Sequence, residues 1–222
     1  MSLSEKLPPE LLQGLVEKVA SLGENQRYLL GITGFPASGK STLSVDLAEA
    51  INQKMQSDLA IVVPMDGFHR LNTELKAWGL WELKGIPDSF NAEAFIELLK
   101  ALREQTATAI GCPAFDRTIE EPTDNAIRVL PQHKLLIIEG NYLLLASNPW
   151  QQVKPLLDAA WYIESTLTEV KPRLLARHTK GGRTLEQARE KMNSTDLPNA
   201  KLIKTTRAMA DQIVRLGRGN SH

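Results

Sequence analysis

The residues Gly34-Phe35-Pro36-Ala37-Ser38-Gly39-Lys40-Ser41 have the types and spacing that hold a chain of phosphates. Glycine lets the backbone approach an anion closely. The free N–H groups at a helix start, together with the helix dipole, then attract the charge. In the pattern G-x-x-x-x-G-K-[ST] the lysine reaches the β- and γ-phosphates, and the hydroxyl is placed for Mg²⁺. Gly34, Ala37, Ser38, Gly39, Lys40, Ser41 and Thr42 are therefore candidate nucleotide-binding residues. Lys40 is also a candidate catalytic residue and Ser41 a candidate metal ligand. The cofactors implied are ATP and Mg²⁺. The Asn-Lys-x-Asp string with which GTPases usually read guanine is absent from the sequence.

Two acids stand where apolar runs stop. Asp66 follows Leu59-Ala60-Ile61-Val62-Val63-Pro64-Met65, and Glu139 follows Leu135-Leu136-Ile137-Ile138. A carboxylate in the first place can accept the proton of an attacking hydroxyl and align it in line with the γ-phosphate. An acid in the second place can hold Mg²⁺ directly or through water. Further along, Lys171, Arg173, Arg177, His178, Lys180, Arg183, Arg189 and Lys191 form a basic stretch broken by Gly181-Gly182. A mobile, arginine-bearing lid there would stabilise charge on a transferring phosphoryl group and exclude water. Arg173 and Arg177 lie one helical turn apart and share a face. Arg177 is the candidate for the transferring phosphate, with Arg173 and Arg183 on the nucleotide.

These residues need a scaffold that brings strand ends together. Tyr28–Ile32 reads as a strand entering the glycine-rich loop, and an amphipathic helix leaves it, with Leu43, Leu47, Ala48 and Ile51 on one stripe and an end near Gln56. Helix patterns also cover residues 8–22, Asn91–Arg103 with Asn91 as N-cap, and the 166–193 lid region. Strands are expected at 59–65, 134–140 and 159–163, with a short antiparallel excursion among Pro113, Pro122 and Pro131 and an irregular stretch over 67–90. A final helix and strand take in Leu202, Ile203, Ile213 and Val214. Alternating strands and helices imply a mainly parallel sheet covered on both faces, a three-layer α/β/α sandwich. Such sheets bind ligands beyond the carboxyl ends of their strands, where Asp66 and Glu139 would stand.

The 222 residues suffice for one sizeable domain, and 26 basic residues balance 26 acidic ones. No nucleic-acid or membrane partner is expected from a net charge near zero. The one cysteine, Cys112, fits a reducing, cytoplasmic setting. The N-terminus lacks the long apolar core of a secretory signal. The sequence leaves the oligomeric state open, a homodimer included.

In this order, the glycine-rich loop, Met65-Asp66-Gly67-Phe68-His69, Lys84-Gly85-Ile86-Pro87-Asp88-Ser89-Phe90, Ile138-Glu139-Gly140 and the arginine-bearing lid resemble the phosphoribulokinase/uridine kinase family of P-loop kinases. Pro113-Ala114-Phe115-Asp116-Arg117, Glu139-Gly140-Asn141-Tyr142-Leu143-Leu144 and Asp196-Leu197-Pro198-Asn199-Ala200 look most like a bacterial branch of fructose-transport-system or sugar kinases. The resemblance implies a P-loop kinase fold and transfer of the γ-phosphoryl of ATP to a hydroxyl of a small metabolite, most readily a sugar such as fructose. It makes Asp66 the base and Glu139 the metal-associated acid. It places His69, Lys84, Asp88 and Arg117 by the acceptor, and Asn199 toward the adenine. Two departures bear on this. Asn91 stands where an aspartate commonly follows the Pro-Asp-x-Phe motif. The tyrosine-bearing motif and later histidine of uridine kinases are absent, which speaks against a nucleoside acceptor. Asp-Gly-Phe and Lys-Gly-x-Pro are also similar to strings of bacterial pantothenate kinase. An acceptor-independent ATPase and a nucleotide-sensing regulator are the readings from other functional classes.

Overall fold

The computed structural model describes Leu3 and residues 7–217. Five strands form one sheet: β1 (Tyr28–Gly34), β2 (Ala60–Pro64), β5 (Leu135–Glu139), β6 (Ala159–Ile163) and β7 (Gln212–Val214). Their order is β2-β5-β1-β6-β7, and every neighbouring pair is parallel. β3 (Ile110–Asp116) and β4 (Glu121–Val129) pair antiparallel outside that sheet, as the proline-punctuated stretch leads one to expect.

The central strands read as unbroken apolar runs because both faces of the sheet are covered. Leu135 and Ile137 point to one side, where they meet Leu43, Leu47 and Ile51 of α2 (Lys40–Met55) and Leu15 and Val19 of α1 (Pro9–Ser21). Leu136 and Ile138 point to the other, into a core with Phe95 and Leu99 of α4 (Ala92–Glu104). Phe95 packs edge-on to Phe68 with ring centroids 5.1 Å apart, which anchors the turn after β2 to that helix. Fully burying a side chain of this size contributes about 2–3 kcal/mol. Asn91 caps α4 as expected, its side chain accepting from the Ala94 N–H.

Residues 67–90 carry more regular structure than their glycines and prolines suggest. The short helix α3 (Asn72–Ala77) and several 3₁₀ turns occupy them. Glu74 is the reason α3 starts where it does, its carboxylate accepting from the Leu71 N–H. The basic region divides at Gly181-Gly182 into α5 (Leu167–Lys180) and α6 (Leu185–Lys191). Each begins with a capping box, Thr166 with Glu169 and Thr184 with Gln187. A single π-turn, Met192–Asp196, then joins α6 to α7 (Leu197–Thr205).

Candidate active site

Strand register decides which side chains meet. Glu139 at the end of β5 pairs with Ile32 of β1 on one side and Pro64 of β2 on the other. Gly34 lies two residues beyond Ile32 and Asp66 two residues beyond Pro64, so the loop after β1 and both acids emerge on one edge of the sheet. The loop takes a conformation few residues tolerate: Ala37 has φ +60° and Gly39 φ +98°. At Gly34, φ +149°, a Cβ would stand 2.7 Å from the Ile163 carbonyl oxygen. Only glycine fits there.

Lys40 is buried. Its Nζ donates to the Phe35 carbonyl oxygen at 3.0 Å and stands 3.9 Å from Glu139 Oε1. Burial pushes the ammonium below its ordinary pKa, against the pull of Glu139 and Asp66. Burial likewise pushes the Glu139 carboxyl up to about 7, with Lys40 opposing and Asp66 reinforcing the rise. Desolvation thus outweighs the mutual attraction of this pair. Polyphosphate and a divalent cation arriving beside it would supply charge of both signs. Ser41 and Glu139 both line the cleft above the loop, so a hydroxyl and a carboxylate face the same space. Mg²⁺ bound to a nucleotide takes one or two protein ligands, the phosphates and water. The described residues hold no cluster of three or more His, Cys, Asp or Glu side chains suited to a metal.

Above the loop opens a cleft of about 520 Å³. Of the expected residues, Ala37, Ser38, Gly39, Lys40, Ser41, Thr42, Asp66, Arg117, Glu139, Arg173 and Arg177 line it. Asp66 is approached by Arg117, which reaches over from the β3–β4 turn to 3.7 Å from its carboxylate. Arg173 donates to the Ala37 carbonyl at 3.4 Å, which lays α5 across the phosphate loop.

Other expected residues stand elsewhere. Gly34 shapes the loop from beneath rather than lining the cleft. Arg183 lies past the Gly181-Gly182 break, off the cleft wall. Asn199 is buried and its amide donates 2.8 Å to the Gly85 carbonyl, on the side of the 79–90 loop. His69 is packed between Phe90 and Phe115, at centroid distances of 4.0 and 4.7 Å, and its Nδ1–H donates to the Asp66 carbonyl. Lys84 is engaged by Asn72 and the Glu120 carbonyl, over the rings of Trp81 and Phe115. Asp88 is exposed. His69 and Lys84, which the family resemblance placed by the acceptor, are thus held by protein partners and do not line the cleft.

Glu164, Ser165, Asn141, Arg215 and Leu216 also line the cleft. Glu164 ends β6 as Asp66 and Glu139 end their strands, so the strand-end rule applied once more would have found it. It holds Arg207 at 2.9 Å and Arg215 at 3.5 Å.

No protein-family profile matches the chain. Individual proteins do. "Putative uridine kinase C227.14" of Schizosaccharomyces pombe is 34% identical over 203 residues, spanning 89% of this chain and 86% of that protein. The chain belongs to the phosphoribulokinase/uridine kinase family of P-loop kinases. The crystal structure of a "putative fructose transport system kinase" from Silicibacter sp. TM1040 matches this kinase with a TM-score of 0.82 and 36% identity, over 96% of this chain and 98% of that one. A pantothenate kinase of Limosilactobacillus reuteri is 25% identical and spans 87% of this chain and 70% of its own length. The kinase has the P-loop kinase α/β fold and is an ATP-using phosphotransferase. Among the described residues no helix is long and apolar enough to cross a membrane.

Proposed function

We propose that this kinase transfers the γ-phosphoryl group of ATP to a hydroxyl of a sugar, fructose or a close relative. One observation carries the reading of the reaction: Asp66, just past the end of β2, shares the cleft with the phosphate loop after β1 and with Glu139 of the intervening β5, and Arg117 stands 3.7 Å from its carboxylate. A hydroxyl bound there gives its proton to Asp66 as its oxygen bonds to the γ-phosphorus. The bond from that phosphorus to the bridging oxygen breaks, and ADP leaves. Lys40 takes up charge on the β- and γ-oxygens, and Arg177 takes up charge on the moving group. Arg173, Arg215 and Leu216 also line the cleft and would help to enclose the nucleotide. Mg²⁺, held by Ser41 and Glu139 when bound, supplies charge neutralisation at the phosphates.

The sugar assignment is supported by the resemblance to the fructose-transport-system structure over nearly the whole chain. The absence of the uridine-kinase motifs supports it too. A pantothenate or nucleoside acceptor is the alternative within the family, supported by the relatives' names. A test is ATP consumption with Mg²⁺ against hexoses, pentoses, polyols, nucleosides and pantothenate, run beside Asp66→Asn. One acceptor class that stimulates wild type but not the variant names the substrate. Acceptor-independent turnover would point to an ATPase. Tight ATP binding without turnover would point to a sensor.

A further inference from the structure

Asp196 is a buried carboxylate that the reaction as described does not use. It ends the π-turn between α6 and α7. One oxygen, Oδ2, accepts from Nε2 of the buried His178 at 2.6 Å. The other, Oδ1, accepts from the Arg177 guanidinium at 3.3 Å, and that guanidinium lines the cleft. His178 and Arg177 are consecutive on α5, one turned into the core and one toward the phosphates. A π-turn inserts a residue into the helical ladder and re-aims the side chains that follow it. Here it brings Asp196 against both of them.

The same segment is held from its other side. Three residues on, Asn199 donates to the Gly85 carbonyl, which also accepts from the Tyr142 hydroxyl. Lys191, at the end of α6, donates to the carbonyls of Glu82 and Lys84 at 2.7 and 3.0 Å. The π-turn is therefore clamped to the 79–90 loop, so Asp196 has a fixed address from which to hold a flexible arginine. Burying a carboxylate has a large desolvation cost unless it is paired on both oxygens. This one meets that condition only while Arg177 points at it.

We propose that Asp196 is a positioning residue: anchored by His178 and by the clamped π-turn, it fixes Arg177 over the transferring phosphate. An arginine tethered in this way loses less side-chain freedom when the phosphate arrives. Groups that orient metal-ligating side chains in this manner typically contribute about 10- to 100-fold, and the same scale is expected for one that orients a phosphate-binding arginine.

The proposal rests on the reading of the cleft as a nucleotide site, so its test is a binding cycle that needs no acceptor. ADP and the non-hydrolysable analogue AMP-PNP are titrated calorimetrically into wild type, Arg177→Ala, Asp196→Asn and the double variant, with thermal melts alongside. Expected are a fall of about 10-fold in AMP-PNP affinity for each single variant and ADP affinity within about twofold of wild type. The double variant should bind AMP-PNP no worse than Arg177→Ala alone, because Asp196 acts only through that arginine. If Asp196→Asn does not fold, His178→Phe, which keeps a ring but removes the donor to the other oxygen, is read in its place with the same expectation. Additive losses in the double variant, equal losses for ADP and AMP-PNP, or no loss in Asp196→Asn would overturn the positioning role while leaving the nucleotide site intact. Wild type that binds neither nucleotide would overturn both.

Discussion

Asp66 and Arg117 face each other at 3.7 Å across the lip of the cleft, although one ends a strand of the parallel sheet and the other sits on the turn of a separate hairpin. The Arg117 side chain is 70% exposed and that of Asp66 35%. An ion pair so open to water contributes at most about 1 kcal/mol to stability. On the proposed reading its value lies in where it leaves the two groups, a carboxylate to take a proton and a guanidinium beside it to meet the acceptor.

Asp66→Asn keeps the shape of the strand end and removes the proton acceptor. Turnover with the cognate acceptor should fall by roughly 10²- to 10⁴-fold, with ATP affinity near wild type. Steady-state kinetics beside nucleotide titration checks this, and unchanged turnover would refute the base assignment.

Arg117→Ala separates stability from function. The melting temperature should stay within about 2 °C of wild type, as expected for an exposed pair. The acceptor KM should rise by about 10-fold or more, with the KM for ATP unchanged. Equal rises for both substrates would move Arg117 to the nucleotide.

Gly67 lies where the turn after β2 meets the hairpin. A Cβ there would stand 2.2 Å from the Pro113 carbonyl oxygen and 2.5 Å from its carbonyl carbon. Those are backbone atoms and cannot swing aside. Gly67→Ala should therefore push the turn from β3, destabilising the protein by about 1–3 kcal/mol. Asp66 would shift with it, so turnover should drop as well. Urea unfolding and kinetics on one preparation test both effects.

His69 gives a pH dependence of definite sign. Burial between two phenylalanine rings holds its imidazole below the ordinary 6.5, only partly opposed by the Asp66 charge and carbonyl. The folded state thus prefers the neutral ring. Below pH 6.5 the unfolded chain takes up the proton first, so stability falls as pH drops. The contribution is fully present above pH 6.5 and is lost as pH falls through the lower, folded value. Urea midpoints between pH 7.5 and pH 5 should decline less steeply in His69→Phe than in wild type; parallel slopes would assign the decline to other groups.

The chemistry of the phosphate end was legible in the amino-acid sequence because it depends on neighbours in the chain. Gly34 to Thr42 form one continuous loop and helix start, and Asp66 and Glu139 announce themselves by ending apolar runs. The five parallel strands, the hairpin, the Asn91 cap and the break at Gly181-Gly182 follow from periodicity, turn residues and capping chemistry, all of which are local. The acceptor end was less legible. His69 and Lys84 are polar side chains in a motif-rich stretch, and their long-range partners, Phe115 and Glu120 from the hairpin and Asn72 from α3, could not be read from it. Asn199 has an amide that could meet a base, but the fold commits it to Gly85, 114 positions away. The Arg177–Asp196–His178 contact needs a π-turn, which no periodicity signals, to face α5 across 18 or 19 residues. Spacing along the chain determines which groups lie next to each other on a helix, strand or loop. Which of them keep a free polar atom for a ligand is decided only when distant segments close around them.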